Sequence, residues 1–214
     1  MDRRTLIKAL GMVPLAGGLG TQAFGQQAAA QYPNISSRER LRERFFPNVV
    51  LTTHHGRKVR FYDDLLKDKI VTINFMYAKC EGVCPGITAN LVRVQKLLAP
   101  RVGKDIFMYS LSLKPEQDTP MALAHYAEMF HVGPGWEFLT GKPDDLELLR
   151  RKLGFTNPDP AEDADVNQHI GMIRYGNEAL EQWAGCPGLA HAKYIAESIG
   201  WVDWPKETGK GGRK

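Results

Sequence analysis

Cysteine is scarce in this chain, at three of 214 residues. Long apolar runs are missing too: the stretch Ala9–Gly20 is too short for a comfortable membrane span, which needs about 20 residues. No internal repeat is visible. These absences, with 43% hydrophobic and 24% charged side chains, exclude collagen, coiled coil, long disordered chains and polytopic membrane proteins. What is left is an ordinary globular composition, long for one small domain and short for two. One domain with appendages is the natural organisation. A basic body is also lacking. The formal charge is +4, but residues 1–25 carry +2 and residues 206–214 carry +3, which leaves −1 for everything between. A nucleic-acid role loses its main support.

The N-terminal stretch has the layout of a signal peptide. A basic start precedes the short apolar run, and Ala23 and Gly25 stand at suitable −3 and −1 positions. Arg3-Arg4 followed by Thr5, Leu6, Ile7 and Lys8 resembles the twin-arginine export motif. Five Gly and one Pro within residues 11–25 argue against a packed first helix. The expected organisation is a twin-arginine-type signal at 1–25 and a polar linker at 26–45 that can become a short helix after Ser36-Ser37. A folded domain at 46–203 and a flexible basic tail at 204–214 follow. A signal that is not cleaved would act as a membrane tether.

Within the body, Val49–Thr53 and Lys58–Phe61 flank the turn His54-His55-Gly56-Arg57, the pattern of a β-hairpin. Ile70–Tyr77 is an almost unbroken apolar run, as expected of a strand covered on both faces. Apolar residues at helical spacing follow from Ile87 to Leu98, and Ile106–Leu113 is a second strand. Asp118 or Thr119 can cap a helix that runs through Phe130, with Pro120 in its first turn. Trp136–Leu139 predicts a short strand and Pro143–Leu153 a helix ended by Gly154. An acidic loop at Asp159–Asp165 follows. Met172–Tyr175 and Ala179–Trp183 around Gly176-Asn177 predict a second hairpin, and Gly188–Ile199 a last helix. Strand–helix alternation closed by a hairpin implies an α/β layered fold with a mixed sheet.

The cysteines carry the chemistry. Cys80 and Cys84 stand four positions apart where a buried strand gives way to a helix, with Pro85 in its first turn. A helix N-terminus offers unpaired N–H groups and the positive end of the dipole, which favour thiolate over thiol. Thiolate is the form that attacks disulfides and binds soft metals. Buried filler or a static disulfide would also use two cysteines, but the neighbours Glu81, Gly82 and Pro85 belong to a loop rather than a core. Two thiolates under-coordinate most metals, so a third ligand must come from elsewhere. Zinc in a closed site takes four, whereas copper(I) accepts two or three, and thiolate with imidazole suits either copper oxidation state.

Phe61-Tyr62-Asp63-Asp64-Leu65, Ile73-Asn74-Phe75, Cys80-x-x-x-Cys84-Pro85, Asp118-Thr119-Pro120 and Phe138-Leu139-Thr140-Gly141 together resemble the Sco/SenC family. The resemblance covers roughly residues 46–180. It implies a thioredoxin-like three-layer fold with a mixed central sheet, an N-terminal β-hairpin and a late β-hairpin. It further implies a copper-binding protein on the outer side of the cytoplasmic membrane that helps to build the copper centre of cytochrome c oxidase. Its ligands would be the two cysteines and a distant histidine, which His169 matches by order and context. Copper, as Cu(I) or Cu(II), would then be held by Cys80, Cys84 and His169. The partners would be a client copper enzyme and a thiol reductant.

The alternative is a thiol-disulfide oxidoreductase that keeps client cysteines reduced, with Cys80 and Cys84 redox-active and His169 dispensable. A third reading, a thiol peroxidase, suits the fold, but the chain lacks a Pro-x-x-x-Thr-x-x-Cys arrangement around Cys80. His54 and His55 read as a solvated turn pair that could collect metal adventitiously, and His125, His131 and His191 have no partner spacing. The chain departs from the family in carrying Lys114-Pro115 where many members have Asp-Pro, and in the additional Cys186. Cys186 has two readings: a further ligand or resolving thiol, or a small buried residue packed near Trp183.

Overall fold

The computed structural model describes residues 35–165 and 171–203; the elements below belong to the compact unit that begins at Ser36. The centre is a seven-stranded mixed sheet in the order β2-β1-β5-β4-β3-β6-β7. Its strands are β1 (Val50–Thr53), β2 (Lys58–Arg60), β3 (Ile70–Met76), β4 (Ile106–Ser112), β5 (Trp136–Gly141), β6 (Met172–Asn177) and β7 (Gln182–Pro187). β3, β4 and β5 are parallel; β1 joins β5 and β6 joins β3 antiparallel. All seven residues of β3 are buried, as the unbroken apolar run requires of a strand covered on both sides.

Helices cover both faces. On one lie α2 (Val83–Leu98), α3 (Pro120–Met129) and α6 (Ala192–Trp201), whose Leu91, Leu123 and Ile195 pack with Met76, Met108 and Phe138 of the sheet. On the other, a π-helical segment (Phe61–Leu66) and α4 (Pro143–Lys152) set Phe61, Leu66 and Leu149 against Val71, Ile73 and Leu139. This is the thioredoxin-like three-layer arrangement with an N-terminal and a late hairpin. Buried polar groups inside the sheet are satisfied in a chain across three strands: Trp136 Nε1 donates to Ser110 Oγ at 2.9 Å, which donates to Asn74 Oδ1 at 2.8 Å. No helix among the described residues is long and apolar enough to cross a membrane.

The short helix after Ser36-Ser37 is present as α1 (Ser37–Phe45), with the Ser36 hydroxyl accepting from the Glu39 N–H. Arg38 reaches from α1 to Glu178 in the β6–β7 turn (Nε–Oε1 2.8 Å), and the same carboxylate accepts from Tyr62 Oη at 2.7 Å and the Asp68 N–H at 2.9 Å.

Several boundaries differ from expectation. The second hairpin does not turn at Gly176-Asn177; β6 continues through Asn177 and the chain reverses over residues 178–181, with Glu181 at φ 55°. Gly176 serves the sheet instead. It pairs with Trp183, and a Cβ at Gly176 would stand 2.4 Å from the indole. Asp159–Asp165 is not simply a loop: Pro160–Ala164 forms the short helix α5, capped by Asp159 through Ala161 N–H at 2.8 Å. Phe61 belongs to the π-helical segment rather than the hairpin strand. The last helix starts at Ala192, because the preceding residues extend β7 and then turn. α2 starts at Val83, four residues before the apolar repeat, which places Cys84 and Pro85 inside its first turn.

Candidate metal centre

β3 delivers the chain to the carboxyl end of the parallel strands, where Tyr77–Gly82 forms the link into α2. Two contacts hold this link against the end of β4. The Leu113 N–H donates to the Met76 carbonyl at 2.8 Å, and the Ala78 N–H donates to Asp118 Oδ1 at 3.0 Å. Asp118 is itself buried and accepts from the Ser112 hydroxyl at 2.5 Å, while Ser112 Oγ accepts from the Lys114 N–H. Burial pushes the Asp118 carboxyl above its ordinary range, against the pull of Ser112 and Ala78. Thr119, not Asp118, caps α3, accepting from the Ala122 N–H. Asp118 is therefore a brace for the cysteine link.

Cys80 and Cys84 are both reduced and buried, and they hydrogen-bond to each other. Their environments are unequal. Burial opposes charge on Cys80, yet hydrogen bonds from the Cys84 thiol, the Cys84 and Gly82 N–H groups and the Tyr77 hydroxyl outweigh it, and the pKa falls below that of an ordinary thiol. Burial and the Cys80 sulfur push Cys84 up to about 12. Tyr77 is likewise pushed up to about 12, by burial and then by its hydrogen bond to Cys80, so its hydroxyl stays a donor. Cys80 is thus the sulfur disposed to ionise and Cys84 its proton-bearing neighbour. A cleft of about 340 Å³ opens beside them, lined by Tyr77, Lys79, Glu81, Gly82, Lys114 and Gln117. Lys114 Nζ stands 4.1 Å from the centre of the Tyr77 ring, a cation–π contact at the mouth of the site.

His169 lies outside the described residues. The described residues on either side of its segment lie near neighbours of the cysteine pair. The charge of Asp165 is felt by Tyr77, and Gly171 lies against Val83 and Ile87 of α2, with a notional Cβ 3.1 Å from Ile87 Cδ1. Cys186 sits in β7 opposite Ile173, in the same apolar cluster as Cys80 and Cys84, and its thiol is pushed up by burial alone. That environment is the packing role of a small apolar residue. His125, His131 and His191 are exposed, on α3, after α3 and at the N-cap of α6. His54 is not solvated as its turn position implied: its side chain is only 8% exposed. Tyr77 and Asp118 are the site residues that spacing alone did not single out as partners of the cysteines.

A family model described as SCO1/SenC matches residues 37–174, more than half of the chain. The chain belongs to the SCO1/SenC family. Among curated relatives, the SCO1 protein homolog of Bacillus subtilis (strain 168) is 34% identical over 77 residues, covering 36% of this chain and 39% of that protein. The Schizosaccharomyces pombe protein sco1 is 27% identical over 124 residues, covering 56% and 46%. The chain thus spans less than half the length of these two relatives. Among solved structures, Bradyrhizobium japonicum ScoI with copper bound superposes with a TM-score of 0.57 at 22% identity, covering 72% of this chain and 96% of that one. The fold of this SCO1/SenC chain is therefore that of its structural neighbours.

Proposed function

We propose that this SCO1/SenC protein binds copper through Cys80, Cys84 and His169 and passes it to an exported or membrane copper enzyme such as cytochrome c oxidase. The observation that carries the proposal is the thiol pair at the start of α2. Cys80 is disposed to ionise by hydrogen bonds from the thiol and N–H of Cys84, the Gly82 N–H and the Tyr77 hydroxyl, and two of these neighbours, Tyr77 and Gly82, line an open cleft. Two soft sulfurs and one imidazole make a set suited to copper and too small for closed zinc. The electrostatic influence of Asp165 on Tyr77 and the contact of Gly171 with α2 support His169 as the third ligand. That a Bradyrhizobium japonicum relative was solved with copper bound supports the choice of ion. Export by the twin-arginine route, to the periplasm or the outer face of the cytoplasmic membrane, fits residues 1–25, which lie outside the described residues. Copper loading displaces protons from the thiols, so the pair must be reduced first and a thiol reductant acts upstream.

The inequality of the two sulfurs favours a second reading, thiol–disulfide exchange. The Cys80 thiolate would attack a client disulfide, forming a mixed disulfide and releasing one client thiolate. Cys84 would then give up its proton and attack Cys80 Sγ, releasing the second client thiolate and leaving a Cys80–Cys84 disulfide for an external thiol reductant. Copper stoichiometry of the reduced protein separates the two. With copper(I) as the probe, the expected result is one copper per chain, lost in Cys80→Ala/Cys84→Ala and weakened at least tenfold in His169→Ala. Undiminished copper in the double variant removes the first reading. Undiminished copper in His169→Ala, with thiol exchange intact, leaves the second.

A further inference from the structure

A second cluster of metal-ligating side chains stands on the opposite half of the sheet, around the turn of the first hairpin. His54 follows β1, His55 is next in the chain, and Glu137 lies on β5, to which β1 is paired. One donor atom from each lies within 4.8 Å of the other two. The cluster is built rather than accidental. The His54 N–H donates to the Phe138 carbonyl at 2.8 Å, and the Phe138 N–H returns a bond to His54 Nδ1 at 3.1 Å. The His54 ring meets Phe138 edge-on at 5.8 Å and the His55 ring at 3.9 Å. Arg57 occupies only one oxygen of Glu137, Oε1, at 2.9 Å. The other, Oε2, is buried with no hydrogen-bond partner and faces His54 Nδ1 at 3.3 Å. Two acceptors face each other there, since Nδ1 takes the Phe138 N–H as a lone-pair acceptor. Nδ1 has its one lone pair on that N–H, so a cation here would be taken by Oε2 together with the remaining imidazole nitrogens.

We infer that His54, His55 and Glu137 form a second metal site, for a borderline divalent ion of the zinc or copper(II) class. Two imidazoles and a carboxylate suit such ions and leave a position open, and the set has no thiolate to select copper(I). It is separate from the cysteine pair. Glu137 is level with Tyr109 and, across β4, with Ile73, three residues short of Met76. With a strand spacing of about 4.8 Å and a rise of about 3.3 Å per residue, that is about 14 Å from Met76, and Cys80 lies further on. An ion here ties the hairpin turn to β5, so its binding stabilises the fold by mass action.

The test uses the untagged full chain carrying Cys80→Ser and Cys84→Ser, so that the outcome does not depend on the thiol site. Zinc is the probe, because it is redox-inert, and binding is followed by competition with a chromophoric chelator. One equivalent is expected, together with a rise in the thermal midpoint. Adding His55→Ala or Glu137→Gln lowers the affinity at least tenfold and abolishes the rise, while His191→Ala changes neither. His55 is exposed, so its removal leaves folding intact, as circular dichroism will show. Zinc uptake retained by either variant, or no stoichiometric uptake in the parent, overturns the site.

Discussion

Asp118 and Glu178 are both buried carboxylates, each drawing a distant stretch of chain onto the sheet, yet they are solvated by the protein in different ways. Glu178, in the turn between β6 and β7, has a counter-charge: Arg38 of α1, with Tyr62 and the Asp68 N–H completing its shell. Despite burial its carboxyl is held below the usual range. Asp118, at the cysteine end, has two neutral donors, and burial wins, so its carboxyl is pushed up. The comparison teaches that charge compensation is concentrated where the fold is fastened. The site end is held by neutral hydrogen bonds that fix backbone without adding a counter-charge beside the thiols.

The largest effect should come from breaking the fastened end. Glu178→Ala leaves the Tyr62 phenol and the Asp68 N–H without their acceptor and the Arg38 guanidinium with Asp68 alone. Loss of one partner of a fully buried pair costs about 3–5 kcal/mol. Arg38 is partly exposed, 34% for its side chain, and water will take over some of its solvation, so about 2–3 kcal/mol is expected. Copper stoichiometry should stay unchanged. Urea unfolding reads the first and metal titration the second; a loss under 0.5 kcal/mol would show that α1 is not fastened by this carboxylate.

Asp118→Ala should reverse that pattern. It removes two hydrogen bonds from neutral donors, costing about 1–2 kcal/mol. Because those bonds hold the Ala78–Cys80 link, copper affinity should fall about tenfold, the scale seen when groups behind metal ligands are removed. Equal copper affinity in Asp118→Ala and the parent would mean that the link keeps its shape unaided.

Much of this was legible in the sequence because the decisive signals are local. The run Ile70–Tyr77 could only be a doubly covered strand, and Cys80, Cys84 and Pro85 announced a helix start loaded with sulfur. Signals set by distant partners were not legible. Gly176 looks like a turn residue until Trp183 is laid across it. Asp118 looks like a helix cap until Ala78 and Ser112, from two other segments, claim its oxygens. His54 looked solvated because its buried surroundings come from β5, more than 80 residues away. α5 was read as a loop because its few residues carry no apolar repeat, and what holds it is Arg150 of α4 pairing with Asp163 at 2.7 Å.

The smallest expected effect, and the one that compares the two carboxylates under identical conditions, is the pH dependence of stability. For Glu178 the folded-state pKa lies below the unfolded one, so the unfolded chain binds the proton first. Its stabilisation is complete above the ordinary carboxylate range and is lost as pH falls through the folded value. For Asp118 the folded-state pKa lies above the unfolded one, so between the two values the native state holds the extra proton and stability falls as pH rises. In mildly acidic solution the two slopes oppose each other. Glu178→Gln should therefore flatten the acid-side loss of stability relative to the parent, and Asp118→Asn should steepen it. Urea midpoints taken between about pH 3 and pH 7 measure both, with the Glu178 contribution read below the ordinary carboxylate value and that of Asp118 above it. If both variants change the slope in the same direction, the contrast between a charged fastening and a neutral brace is wrong.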